Sequence, residues 1–470
     1  MRSSRLGSPP DVKKPKQSAW VSQTREYRLI TPIFGGGVEA GKPDPVTAVR
    51  GASVRGQLRF WWRATRAGRY ATLKELKTAE DRLWGAASQA ALIDLAVEVL
   101  DAGRDEPPFE VRPNKNGNNQ AYNRSAIAPA YAAFPLQPDR DTLKQWDPEQ
   151  DAVKPLRVGV VFRLTITNPQ QVPQDLIAAG VTDISADIAA AIWAWESFGG
   201  VGARTRRGFG AITLTHVDGR IDEPPSASDM EIFFVKQYEQ HVISTYSLVG
   251  VPRLPSFPTS LRVIRRQRQP GGIWERSIDT WSHLIAQLSE FRQWRDPPSP
   301  ANPNQPGRSR WPEPDAIRIE SKSHHQFHRP RLYTKKYPRA VFGLPIVVHF
   351  KDRGDPEDHT IQGADRAIDR MASQLVLKPY RSRFQDKDGY VGLAVILDGP
   401  TLPPGGIGLK PKRHPIILPV DDAALTHEDV AAIEEIASLA PRGKRSPFGK
   451  PVYSGEYLDV LQTFLNYLEQ

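Results

Sequence analysis

The chain has 470 residues, of which 39% are hydrophobic, and 63 Lys+Arg against 53 Asp+Glu give it a net charge of +10. That length exceeds one ordinary domain, and the apolar share is enough for packed cores. With no cysteine, disulfides, thiolate zinc sites, iron–sulfur clusters and cysteine nucleophiles are excluded, and no apolar run approaches the roughly 18 residues of a spanning helix. The charge is uneven: residues 1–69 hold 14 basic and 4 acidic side chains, and residues 251–350 hold 17 and 7. Concentrated positive charge of this kind suits a polyanion, nucleic acid before membrane. The Ser-, Pro- and Lys-rich start has no apolar core, so it does not resemble a signal peptide, and a cytoplasmic protein without membrane contact is expected.

Residues 1–19 read as a flexible basic arm. A strand is expected over Glu26 to Phe34, ended by Gly35-Gly36-Gly37. Ser53 to Ala67 reads as a helix with Val54, Leu58, Trp61 and Trp62 on its apolar side. Arg55, Arg59, Arg63 and Arg66 fall at i, i+4, i+8 and i+11 and form one basic stripe. Leu73 to Leu100 is helical at its start, and the Pro-, Asn-, Asp- and Gly-rich stretch 101–155 reads as a long insertion or loop. Val158 to Thr167 is a strand. Asp183 or Ser185 caps the helix that follows, which ends at Gly199-Gly200, and Gly210 to His216 is a further strand. This order matches a ferredoxin-like split βαβ unit.

From Glu231 the pattern restarts, with a helix over Trp274 to Trp294 and a Pro-rich loop near 296–316. Strands are expected over Ala340 to Phe350, Met371 to Pro379, Val391 to Asp398 and Pro415 to Val420. Helices are expected from Thr426 through Leu439 and over Tyr457 to Leu468. The expectation is an α+β chain with long insertions, divided into an N-terminal domain (20–225) and a C-terminal domain (226–470).

Two motifs are decoys. Gly36 to Lys42 is close to a phosphate-binding loop, but Pro43 stands where the magnesium-holding Ser or Thr belongs. His324, His325 and His328 suggest a metal site, yet they sit among Lys and Arg without a carboxylate, so no metal or cofactor is assigned. Two others carry weight. Arg50 to Arg63 begins a helix with small residues and no acid between Asp44 and Glu75, which suits phosphate at free backbone amides. Gly199 to Gly210 holds five glycines and three arginines in twelve residues, more than a turn requires.

Together with Ile30 to Gly37 and Pro43 to Val46, these segments resemble the RAMP superfamily of CRISPR effector proteins and, more specifically, are similar to the head subunit of type III-B (Cmr) complexes. Phe342-Gly343-Leu344-Pro345 and Arg370 to Pro379 are similar to that family's second-half motifs, with Gln374 where the family usually has proline. The resemblance implies two ferredoxin-like (RRM-like) domains in a ribonucleoprotein subunit. That subunit would lie beside other RAMP subunits, near the crRNA 3′ region, contacting target RNA in antiviral defence, with nuclease activity belonging to other subunits. It assigns RNA-phosphate contact to Ser53, Arg55, Arg59, Arg63, Arg204, Thr205, Arg206 and Arg207, then to Arg50, Arg66 and Lys378, with Trp61 or Trp62 available for base stacking. The competing expectations are a metal-independent crRNA-processing endoribonuclease, which needs a general base such as His near the RNA 2′-hydroxyl, and a purely scaffolding subunit.

Overall fold

The computed structural model describes residues 19–37, 41–44, 47–245, 248–266, 271–295, 307, 309–322, 334–350, 353–413, 417–420, 423–438 and 448–469. Nearly all of the basic arm, the middle of the phosphate-loop lookalike, most of the Pro-rich stretch and the three histidines at 324, 325 and 328 lie outside the described residues.

The first half contains β1 (Trp20–Leu29), α1 (Gly51–Arg66), α2 (Leu73–Trp84), β2 (Asp94–Asp101), β3 (Val161–Pro169), α3 (Ile184–Phe198), β4 (Ile212–Val217), the short β5 (Arg220–Ile221) and α4 (Met230–His241). The strands form one antiparallel sheet in the order β2-β3-β1-β4-β5. With α1 following β1 and α3 following β3, this is the strand order of a split βαβ unit. β1 begins earlier and stops sooner than its apolar alternation suggests. Pro32 has no N–H for the ladder, and past it only bridges remain, Ile33 to Arg157 and Phe34 to Ala203.

α2 is fixed by a capping box in which Thr72 and Glu75 satisfy each other's backbone N–H groups. Of the two candidate caps for α3, Asp183 accepts from the Ala186 N–H at 3.1 Å, while Ser185 bonds Asn168. α3 is buried almost all round because it lies between the first sheet and a second one.

That second sheet, β6-β10-β9, comes from β6 (Leu261–Ile264), β9 (Leu375–Phe384) and β10 (Lys387–Ile396). Its two faces join different cores. Val376, Leu393 and Val395 pack with α1 and α3, whereas Leu375, Leu377 and Ala394 pack with α5 (Ser277–Gln293). A sheet covered on both faces needs a near-continuous apolar run, which is how Leu375-Val376-Leu377 reads. The short α6 (Glu313–Glu320) begins inside the stretch near 296–316 expected to be a loop. A third sheet, β7-β8-β11-β12, is built from β7 (Ile346–Val348), β8 (His359–Gly363), β11 (Ile407–Pro411) and β12 (Leu418–Val420). α7 (His427–Ser438) and α8 (Val460–Leu468) close the second half.

The 101–155 stretch departs from its loop reading. Phe109–Pro113 pairs with Asn119–Asn123 as a hairpin, and Ala128, Ala132, Ala133 and Leu136 are buried in the core that holds α5. Its polar composition hides a few well-spaced apolar residues that dock on the other half.

Candidate nucleic-acid interface

α1 starts without a side-chain cap and without an acid in its first turn. Its neighbours are glycine turns. Arg50 donates to the Gly36 carbonyl, Gly36 lies against Gly202, and the Ala203 N–H bonds the Phe34 carbonyl at 2.8 Å. Glycine at 199 is required by close approach, since a Cβ there would lie 2.5 Å from both Trp61 Nε1 and Trp195 Cδ1. Thr31 ties the strand end to the same loop, donating to the Gly208 carbonyl at 2.6 Å and accepting from the Ala211 N–H at 2.8 Å.

Arg50 and Ser53 are exposed and Arg55 half-exposed, and none of the three has a carboxylate partner among the described residues. Arg204 is also exposed. It adopts a left-handed φ of +58° with its guanidinium 5.7 Å from the Phe34 ring centre, and Thr205 follows it half-buried. A non-glycine residue in this conformation signals a constraint imposed by its surroundings.

The rest of the basic stripe is occupied. Arg59 bonds Glu80 at 2.7 Å and Asp81 at 3.2 Å, and Arg63 bonds Glu80 at 2.6 Å. α1 has no acids of its own, and α2 supplies them.

Three expected contacts are corrected. Trp62 is fully buried and donates to Asp187 at 3.0 Å, so it has no face for a base. Arg66 is buried too, bonded to Asp187, to the His241 carbonyl at 2.6 Å and to the Ala186 carbonyl at 2.9 Å. Lys378 is fully buried, donating to the Glu196 carbonyl. Trp61 is likewise core, at 3% exposure.

Arg206 and Arg207 have turned inward. Arg206 donates to the Ser373 carbonyl and lies 5.5 Å from the Phe60 ring centre. Arg207 donates to the Leu375 carbonyl at 3.1 Å and the Phe342 carbonyl at 2.7 Å, and its own carbonyl accepts from Trp281 Nε1 at 2.7 Å. The first-half loop is thus docked on the two second-half motifs, which themselves meet at the Leu344–Met371 bridge. Burial, opposed by no carboxylate, pushes the Arg207 guanidinium down to about 9.

Burial also pushes the Lys378 ammonium down to about 7. Folding therefore favours the neutral amine, and this group's contribution to stability rises with pH between about 7 and its ordinary value near 10.5. Lys378→Met is expected to stabilise the fold at pH 7 by about 1–3 kcal/mol and to flatten that rise. Urea denaturation at pH 7 and pH 9 checks both effects, and a destabilised variant would contradict them.

Along the chain, the histidine that next follows the glycine–arginine loop, His216, lies on β4 beside Glu26 at 3.4 Å. Among the described residues, no three metal-ligating side chains gather, and no helix is long and apolar enough to cross a membrane.

Residues 26–213 match the model of the RAMP superfamily. Two solved structures are similar to the chain. One is the crystal structure of apo Cmr1 from Pyrococcus furiosus, 17% identical, covering 83% of this chain and 94% of that one with a TM-score of 0.40. The other is a chain of the Type III-B Cmr-beta complex bound to cognate target RNA, 10% identical, covering 80% and 94% with a TM-score of 0.45. No curated protein matches the chain.

Proposed function

We propose that this chain is a non-catalytic, RNA-binding subunit of a type III-B CRISPR effector. In this reading it works within a hetero-oligomer of RAMP subunits at the head of the filament, contacting crRNA near its 3′ region together with target RNA. Its two halves are then both ferredoxin-like, the second with three strands in the order β6-β10-β9 beside α5. The observation that carries the proposal is a convergence within the residues that match the RAMP model. The uncapped start of α1, the glycine turn at 35–37 and the Gly202–Arg204 turn meet, leaving Arg50, Ser53, Arg55 and Arg204 turned to solvent without acid partners. Free amides at a helix start and unpaired guanidiniums are what a phosphate backbone recognises.

Purified protein incubated with a labelled single-stranded repeat RNA is expected to retain it on a filter and leave its length unchanged. Specific cleavage abolished by a histidine substitution would overturn the non-catalytic role, and a lack of retention at low salt would overturn RNA binding by this chain alone.

A further inference from the structure

Several described cations of the second basic territory, from Arg253 to Lys351, are paired within the fold. Arg265 pairs with Glu231 at 2.7 and 2.6 Å, Arg318 with Asp315 at 3.0 Å and Asp355 at 2.7 Å, and Arg339 with Glu313 at 3.0 Å. Arg292, in the last turn of α5, is different. Its guanidinium lies 5.6 Å from the Phe342 ring centre and 5.9 Å from that of Tyr131, and its buried Nε has no hydrogen-bond partner.

The charges facing it are further arginines. Arg292 and Arg207 meet at Phe342, Arg292 5.6 Å from its ring centre and Arg207 on its carbonyl at 2.7 Å, and the charge of Arg292 also reaches Arg204; among the described residues no carboxylate pairs with any of the three. Arg207 spends donors on the Leu375 and Phe342 carbonyls, and a guanidinium has five in all. Three guanidiniums gathered at one seam without an acid repel one another unless an anion enters. Phe342 and Phe34 are buried beneath Arg292 and Arg204, and the half-buried Tyr131 is the aromatic ring left at the rim.

We propose that the seam formed by Arg204, Arg207, Arg292 and Tyr131 is an oxyanion pocket that seats one phosphate of a single-stranded RNA, so that bound RNA bridges both halves of the chain. The inference rests on the RNA-binding reading above and extends it to residues of the insertion and of α5. RNA fits better than an acidic protein segment because Arg204 belongs to both this pocket and the exposed surface at α1, giving one continuous path for a polyanion. The half-buried Tyr131 beside Arg292 also suits a stacked base.

The test uses the full chain, an oligouridine carrying 4-thiouridine, and inorganic phosphate as a separate probe. Arg292→Gln is expected to weaken oligouridine binding about tenfold and to lower the salt slope by about 0.7, one single-strand phosphate contact. In the native protein, crosslinking is expected to label Tyr131. Millimolar phosphate added to the oligouridine mixture is expected to leave both behaviours nearly unchanged, because one phosphate lacks the multiple contacts of a chain.

Native affinity and slope in Arg292→Gln, with no label on Tyr131, would overturn the pocket. So would competition by free phosphate as strong as that by RNA, or a variant that binds RNA normally but no longer joins its partner subunits. If the native chain binds no RNA, the broader reading fails. If only variants at Arg55 and Arg204 lose affinity, the pocket alone fails.

Discussion

Replacing Asp187 by alanine is expected to destabilise the first half by about 3–5 kcal/mol, the largest effect of any single side chain in this account. Asp187 is 1% exposed and accepts from three side chains: Trp62 Nε1 at 3.0 Å, Arg66 Nε at 3.1 Å, and Arg69 through two nitrogens, both at 2.8 Å. Its position on α3 lets one carboxylate fasten the end of α1 to the helix beside it. Without it, two guanidiniums remain close together, Arg66 in a site where burial already lowers its pKa. Removing one member of a buried pair costs far more than the pair is worth in net terms, because the partner's charge stays behind.

Asp81 is a useful contrast. It pairs with Lys77 and Arg59 at a more exposed position, so Asp81→Ala is expected to cost about 1 kcal/mol or less. Urea denaturation followed by tryptophan fluorescence measures both. An Asp187→Ala midpoint close to that of Asp81→Ala would contradict the role given to this carboxylate.

Much of the architecture was legible because it rests on local pattern. The apolar side of α1, the Asp183 cap of α3 and the apolar run of β9 follow from periodicity and capping chemistry, and the strand–helix order already matched the sheet found in the first half. The fate of the arginines was not legible, because a charge run carries no information about which distant acid will face it. Arg59 and Arg63 meet Glu80 from the next helix, and Arg66 meets Asp187 from more than a hundred residues away. One local signal did exist: the Thr72 to Glu75 capping box starts α2, whose later acids come back alongside α1.

Lys378 misled for a related reason. It sits at the end of Leu375-Val376-Leu377 on a strand covered on both faces, where a lysine points into protein whichever face it takes. The glycine–arginine loop was recognisable as special, but its arginines divide between two tasks. Arg206 and Arg207 fasten the first half to the second, and Arg204 stays outside. Glycine at 208 belongs to the fastening: φ is +82°, and a Cβ there would lie 2.6 Å from Trp281 Nε1.

The division between paired and unpaired arginines makes the second large prediction. Phosphate contact should belong to residues without internal partners, so Arg55→Ala combined with Arg204→Ala should reduce affinity for single-stranded RNA by ten- to a hundredfold at low salt. Arg59→Ala with Arg63→Ala removes the same formal charge, both from α1. That pair frees Glu80 in the core-facing side of α2, where it is 3% exposed, so its main cost should appear in stability.

A filter-binding salt titration of the native chain and the two double variants tests this most directly. The expected slope of log K against log salt is lower by about 1.4 in the Arg55/Arg204 variant, two single-strand contacts, and unchanged in the Arg59/Arg63 variant despite its lower urea midpoint. Equal slopes in native chain and Arg55/Arg204 variant, or a flattened slope in the Arg59/Arg63 variant alone, would contradict it.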